Sequence, residues 1–331
     1  MLTDSFGRRI EYLRLSVTDR CNYFCSYCRT RACGVEVGVR GALLSFAEVT
    51  RLVRLFAELG VCKIRLTGGE PLVRRDLPEL ARAIATQPGI TDLSLSTNGH
   101  RLERDAQALQ SAGVRRINLS LDSLDPEVFA RITGGGELAR VLRGIDAARA
   151  VGLDPIKLNA VVLGGVNDGE IERLADFAWQ QGLAIRYIEV MPIGLAGRAS
   201  MRHYYPAARI LDRLTAHFGA SLIPVAPAPG AGPARCYRTA DGRLGFGVIS
   251  AMSRHFCESC TRVRLTAQGE LVLCLGRQHM VALREPMRAG ATDERIKEII
   301  QQAIQRKPER HDFQYHGQEV SPKRAMSTLG G

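Results

Sequence analysis

The sequence predicts an α/β fold: an incomplete (βα)6 TIM-like barrel over residues 1–195, followed by an α+β extension over residues 196–331. Three observations predict it. First, a short β-branched run, a polar turn and an amphipathic helix recur six times before residue 195. Strand–helix alternation of this kind means parallel strands joined by right-handed crossovers, and six units fall short of a closed eight-fold barrel. Second, polar and glycine residues gather just after each strand, at the edge where parallel α/β folds keep their active sites. Third, the alternation stops after about residue 195.

The elements follow in order. A strand at 12–17 leads into a cysteine-rich loop. The segment 45–60, SFAEVTRLVRLFAELG, reads as a helix, with Ser45 and Glu48 as a capping box and Gly60 as its stop. Strands are expected at 62–67, 93–97, 117–121, 156–162 and 185–190, with helices at 77–85, 101–111, 138–151 and 170–181. The turns after the strands read Thr67-Gly68-Gly69-Glu70-Pro71, Ser96-Thr97-Asn98-Gly99 and Ser120-Leu121-Asp122-Ser123. In the extension, VAPAPGAGPA at 225–234 reads as a loop and LGFGVIS at 244–250 as a strand. RVRLTAQGELVLCLG reads as a hairpin turning at Gln268-Gly269, and 293–306 as a helix. The terminal STLGG is expected to be mobile.

Alternation along the strands says which side chains face inward, because successive residues point to opposite faces. Leu13, Leu15 and Val17 oppose Arg14 and Ser16; Ile64 and Leu66 oppose Lys63, Arg65 and Thr67. Leu93 and Leu95 oppose Ser94 and Ser96, Ile117 and Leu119 oppose Asn118 and Ser120, and Ile156 and Leu158 oppose Lys157 and Asn159. The apolar faces must meet the helices, so the barrel interior receives Arg14, Lys63, Arg65 and Lys157. Unpaired cations in a dry core are prohibitive. The interior is therefore expected to be a wet cationic cavity awaiting an anion. In the sixth strand Arg186 and Met191 have opposite parity, so a bulge or the strand's end must intervene.

Composition sets outer bounds. Hydrophobic residues make up 45% and charged residues 24% of the 331, as in a soluble globular protein. No run approaches the roughly 18 to 20 apolar residues that cross a bilayer, and MLTDSFGRRIEYLRL lacks the apolar stretch of a signal peptide, so the expected compartment is the cytoplasm. The net charge of +11 on its own indicates a solvated basic surface before it indicates an anionic partner. The seven histidines show no metal spacing.

Nine cysteines in a reducing compartment point to metal or redox chemistry. Six fall into two triplets: Cys21, Cys25 and Cys28 in CNYFCSYC, and Cys257, Cys260 and Cys274 in C-x2-C-x13-C. A cubane iron–sulfur cluster usually takes four thiolates, and each triplet is one short. The missing ligand leaves one iron open, able to chelate an amino acid through its amine and carboxylate. S-adenosylmethionine offers both groups and carries its sulfonium beside the cluster. Competing readings exist: Cys33 as a fourth ligand, a zinc site, or a redox dithiol. Cys62 and Cys236 read as structural or incidental.

C-x3-C-x2-C with an aromatic before its last cysteine, directly after the first strand of a βα series, resembles the signature of the radical S-adenosylmethionine superfamily. TGGEP at 67–71 resembles that superfamily's motif for the methionine amino group. CESCTRVRL with Cys274 resembles the second cluster site of one family, GTP 3',8-cyclase (molybdenum-cofactor biosynthesis protein A). The segments KIRLTGGEPL, STNG, INLSLDSLD, KLNAVV and RYIEVM, and the paired Gly330 and Gly331, are similar to that family as well. The sequence departs from it at Arg29-Thr30, where the family usually has Met-Pro, and at Cys33, which is outside the motif.

The resemblance implies two 4Fe–4S clusters and S-adenosyl-L-methionine as cofactors, one cluster on each cysteine triplet. It implies that Tyr27, Gly69, Ser120 and Met191 contact S-adenosylmethionine. It implies that Arg14, Arg65, Ser96, Lys157, Arg262, Val263 and Arg264 contact GTP, with Lys63 and Arg186 as weaker additions. The implied reaction is hydrogen abstraction from the ribose 3' carbon by a 5'-deoxyadenosyl radical and attack of the substrate radical on guanine C8. The implied partners are a one-electron donor such as flavodoxin or ferredoxin, and cyclic pyranopterin monophosphate synthase as acceptor of the product. No membrane and no nucleic acid partner are expected, and a homodimer is left open. Two alternatives carry different expectations. A radical peptide-maturing enzyme would use more C-terminal cysteines, and a basic iron–sulfur nucleic-acid-binding protein would bind DNA in a salt-dependent way.

Overall fold

The computed structural model describes residues 1–29, 43–219, 222–226, 232–240, 242, 245–313 and 324–330. In chain order the barrel part runs β1 (Tyr12–Ser16), α1 (Phe46–Glu58), β2 (Lys63–Thr67), α2 (Leu77–Ala85), β3 (Asp92–Thr97), α3 (Leu102–Ser111) and β4 (Arg116–Ser120). It continues through α4 (Pro126–Thr133), α5 (Leu138–Ala150), β5 (Ile156–Val162), α6 (Ile171–Gln180) and β6 (Ala184–Glu189). Then come α7 (Gly194–Ser200), α8 (Ala207–Phe218), β7 (Leu222–Val225), β8 (Arg235–Thr239) and β9 (Gly245–Ile249). The last elements are β10 (Arg262–Leu265), β11 (Glu270–Val272), β12 (Met280–Ala282), α9 (Arg284–Arg288) and α10 (Asp293–Gln305).

One sheet holds all of these strands, in the order β12-β11-β10-β1-β2-β3-β4-β5-β6-β9-β8-β7. β1 to β6 are parallel neighbours, as strand–helix alternation requires. The extension then adds a parallel strand to each edge: β10 beside β1 and β9 beside β6. Antiparallel β11 and β12 finish one end, and β8 and β7 the other. Among the described residues the two ends do not pair, so the barrel stays open.

The strands sort their side chains as alternation expects. Leu13, Leu15, Ile64, Leu66, Leu95, Ile117, Leu119 and Leu158 are fully buried in one apolar cluster with the helices. Burying such a side chain stabilises by about 1.5–3 kcal/mol. α1 contributes Val49, Leu52, Val53, Leu55 and Phe56 to this core, and its Ser45–Glu48 capping box forms, with Ser45 N–H donating to Glu48 Oε2 at 2.7 Å. β6 ends at Glu189, so Met191 lies past the strand's end and the parity conflict with Arg186 disappears.

Two expectations need correction. The terminal residues are not loose: Met326–Thr328 form a 3-10 turn, and Leu329 packs against Ile193 and Val272 with 1% exposure. Two inward arginines hold the tail, Arg14 Nε donating to Gly330 O at 3.1 Å and Arg264 Nη1 to the same oxygen at 2.6 Å. Composition alone marked STLGG as small and polar; the buried leucine and these partners outweigh that. The second correction is α4, which the repeat pattern skips. Its own punctuation is clear: Asp125 accepts from Glu127 N and Val128 N, Pro126 starts it, and Gly134 ends it at φ 70°. Cys33, Gly331, residues 30–42 of the loop at 29–44 and residues 227–231 of the loop at 225–234 lie outside the described residues.

Candidate active site

Two adjoining cavities open at the strand ends. The smaller, about 210 Å³, is bordered by Cys21, Cys25, Cys28, Tyr27, Gly69, Ser120 and Met191. The larger, about 640 Å³, fills the barrel interior and is bordered by Arg14, Arg65, Lys157, Arg262, Val263, Arg264, Cys257, Cys260 and Cys274. Ser96, Asn159, Ile188 and Met191 line both, so they form the shared wall. The structure therefore brings together every residue the sequence singled out, apart from those outside the described range.

The first cysteine loop is held from below. Phe24 N–H donates to Thr133 O and Ser26 N–H to Ile132 O, both at 2.9 Å, so the last turn of α4 carries it. Cys28 N–H closes a turn onto Cys25 O at 2.9 Å. Burial pushes the Cys21 thiol up to about 11 and Cys28 up to about 12. Cys25 is raised too, by burial first and then by Cys28, Asp122 and Cys21, so the three sulfurs converge on one small volume. Three half-buried thiols on one cavity wall fit three irons of a cubane, and loading one must displace their protons.

The turn after β2 passes close to this loop. A Cβ on Gly68 would lie 2.4 Å from Thr18 O, and one on Gly69 2.3 Å from Arg20 O, so only glycine permits the approach. Gly69 N–H and Glu70 N–H bond to those same two oxygens at 2.9 and 2.7 Å. The buried Glu70 carboxylate accepts from Leu72 N, Thr97 Oγ1 and Asn98 N, tying the turns after β2 and β3 together. Burial lifts its pKa to about 7. Tyr27 Oη donates to Asp122 Oδ2 at 2.7 Å, and Asp122 Oδ1 accepts from Val161 N at 2.8 Å. Burial raises Asp122 to about 6 and raises Tyr27 as well. The acids Glu70, Asp122 and Glu189 line the smaller cavity, and among the described residues no lysine or arginine does.

The larger cavity is the opposite. Register sets Arg264, Arg14, Arg65 and Ser94 side by side across β10, β1, β2 and β3. Lys157 pairs with Asn118, and Arg186 with Asn159. Burial lowers Arg14, Arg65 and Arg186, and takes Arg264 down to about 10. Lys157 falls to about 8 through burial and the charges of Arg186, Arg116 and Arg65. Asp92, paired with Arg116 at 3.1 Å, is the sole acid on this wall among the described residues. Such an array is complete only with a polyanion in it. Val263, between the two arginines of β10, is buried in the apolar core and also borders the cavity.

The second triplet sits at this cavity's rim. Burial alone would raise Cys260, but Arg262 and Lys307 outweigh it and bring the thiol to about 7. Cys257 is raised by burial and then by Cys274 and Cys260, so these sulfurs also converge. Lys307 Nζ donates to Arg262 O at 3.0 Å and Leu273 O at 2.5 Å, clamping together the segments that follow Cys260 and precede Cys274. Arg8 Nη1 donates to Cys257 O at 2.8 Å. Sequence reading aimed Asn159 inward with Lys157, and it lines the cavity; Lys307, Arg116 and Tyr12 were missed as cavity residues. Arg116 shares the inward parity of its strand, which was a usable signal. Lys307 follows the last long helix and had none.

Comparison with known proteins agrees with this layout. The Radical SAM superfamily profile matches residues 15–178, and the Molybdenum Cofactor Synthesis C profile matches residues 183–313. The chain is 47% identical over 330 residues to a GTP 3',8-cyclase from Hydrogenovibrio crunogenus, covering 100% of this chain and 99% of that protein. It is 43% identical to one from Pelotomaculum thermopropionicum, covering 100% of both. Among solved structures, Streptococcus suis SuiB bound to S-adenosylmethionine superposes with a TM-score of 0.63 at 15% identity, covering 84% of this chain and 64% of that one. The last similarity concerns the fold alone.

Proposed function

The chain belongs to the GTP 3',8-cyclase family of the radical SAM superfamily, and from that premise we propose how its own residues divide the work. It cyclises GTP to (8S)-3',8-cyclo-7,8-dihydroguanosine 5'-triphosphate, the first step of molybdenum cofactor biosynthesis, with two 4Fe–4S clusters and S-adenosyl-L-methionine as cofactors. When bound, the first cluster and S-adenosylmethionine supply the radical that takes hydrogen from the ribose.

Cys21, Cys25 and Cys28 would hold one cluster; Cys257, Cys260 and Cys274 would hold the other. Gly68 and Gly69 let the main chain approach the cysteine loop, and Glu70 fixes that turn against β3. Tyr27, Ser120 and Met191 frame the adenosyl side of the smaller cavity. Arg14, Arg65, Lys157 and Arg186 receive the triphosphate, while Arg262 and Arg264 orient the base beside the second triplet. Ser96 and Met191 stand on the shared wall, where the radical and the ribose must meet. Position counts there: misplacement by about 1 Å can cost on the order of a hundredfold in rate.

The observation that carries this division is the charge contrast. The small cavity, lined by acids, suits a sulfonium and an ammonium, and the large one, lined by cations, suits a triphosphate. Among the described residues no helix is long and apolar enough to cross a membrane. We place the enzyme in the cytoplasm, with a flavodoxin- or ferredoxin-type electron donor and cyclic pyranopterin monophosphate synthase as acceptor of its product.

The test is anaerobic reconstitution with iron and sulfide, followed by S-adenosylmethionine, a reductant and GTP. The protein should take up about eight irons per chain and form 5'-deoxyadenosine and cyclised nucleotide in equal amounts. Uptake of about four irons, or deoxyadenosine without any change in GTP, would remove this assignment of residues.

A further inference from the structure

Tyr12 stands in the wall of the larger cavity without a role in the scheme above. It opens β1 on the same face as Arg14 and is 8% exposed. Register sets it between Arg262 of β10 and Lys63 of β2. The Arg65 guanidinium lies over its ring, 5.4 Å from the centroid. Its hydroxyl is buried and has no hydrogen-bond partner among the described residues. Buried polar groups in native proteins nearly always have partners, so this one calls for a reason.

The neighbours supply it. The phenol lies near enough to Arg14, Arg65, Arg186 and Arg264 to act on each electrostatically. Arginine and lysine side chains donate hydrogen bonds and accept none. One of them can serve the tyrosine's lone pairs, but none can receive its proton. The acceptor must come from outside the cluster. The species that gathers among these cations is a polyanion, and phosphate oxygens are strong acceptors.

We propose that Tyr12 is a further substrate-binding residue whose hydroxyl donates a hydrogen bond to a phosphate oxygen of the nucleotide, a reading that rests on GTP occupying the larger cavity. Tyrosine brings something the cations do not. It adds a directional donor without adding charge to a cluster whose members already repel one another. Its ring meanwhile supports the Arg65 guanidinium from below. A purely structural role would need only that ring, and phenylalanine supplies it equally well.

Tyr12→Phe separates the two, because it removes the hydroxyl and keeps the ring. The experiment is calorimetric titration of the reconstituted full-length enzyme with GTP and with guanosine, which has the base and ribose but no phosphate. Loss of a hydrogen bond to a charged group should weaken GTP binding by about 10- to 100-fold. Guanosine affinity and the thermal midpoint should stay unchanged. An unaltered Kd for GTP would overturn the proposal, and so would an equal loss for guanosine. A wild-type enzyme that binds guanosine but gains nothing from the triphosphate would overturn the substrate reading of the cavity itself.

Discussion

At the residue scale, the cationic wall has a titratable member within reach of ordinary buffers. Lys157 has its pKa lowered to about 8 by burial and by Arg186, Arg116 and Arg65. Only its protonated form attracts a phosphate. Below pH 8 it is charged in the free enzyme, so GTP affinity should be flat with pH. Above pH 8 the free enzyme has lost that proton, and binding the polyanion must take one up. Affinity should therefore fall as pH rises past 8, by at most about tenfold per unit. Lys157→Arg does not titrate in this range and should flatten the profile. Titration of GTP binding between pH 7 and 10 checks this; an identical slope in both proteins would mean another group is responsible. Arg14, Arg65 and Lys157 were legible because a strand with leucines on one face must aim its cations at the other. Tyr12 was not, since a large aromatic at a strand's start reads as core.

At the element scale, α4 is the piece that the repeat pattern passed over, and it carries the first cysteine loop. The missed signal was local, a capped helix of eight residues that adds a second helix to one crossover. Counting units cannot see it, whereas Asp125-Pro126 and Gly134 could have shown it. The join is tight: a Cβ on Gly134 would stand 2.9 Å from Phe24 Cβ and 3.0 Å from Phe24 O, at φ 70°. Gly134→Ala should strain the helix end by about 1 kcal/mol and also push the loop that holds Cys25. Gly152→Ala is the matched control, with φ 77° and nothing within 4 Å of the added carbon. Both variants should lose thermal stability, but only Gly134→Ala should lose iron from the first triplet. Equal iron content in the two, measured after the same reconstitution, would show that α4 does not position the cysteines.

At the scale of the whole molecule, the surprise is how the extension is used. Its composition change near residue 195 suggests a separate unit, and local patterns say nothing about which strands pair. In the structure β9 and β10, consecutive in sequence, become the two opposite flanks of the parallel sheet. The second cysteine triplet thereby flanks β10 and β11, with Cys257 and Cys260 just before the strand that pairs with Arg14's own strand and Cys274 just after the next one. Near the start of the chain, Arg8 pairs with Asp4 at 2.6 Å and donates to Cys257 O, Pro308 O and Glu309 O. The larger cavity is thus built from both ends of the chain at once.

This arrangement makes a strong statement about dissection. Cutting after residue 195 would leave β1, with Leu13 and Leu15, and β6, with Ile185 and Ile188, as bare edges with unpaired N–H and C=O groups along both. Such edges are templates for pairing with other chains. It would also leave Arg14, Arg65 and Lys157 without the rim that completes their cavity, and Arg8 without its three carbonyl acceptors. Residues 1–195 expressed alone should therefore aggregate, and supplying residues 196–331 in the same cell should recover soluble protein. Co-purification followed by size-exclusion chromatography reads both outcomes. A soluble monomeric 1–195 fragment that melts cooperatively would show that the barrel part is self-sufficient, and that the two edge strands are additions to a finished fold.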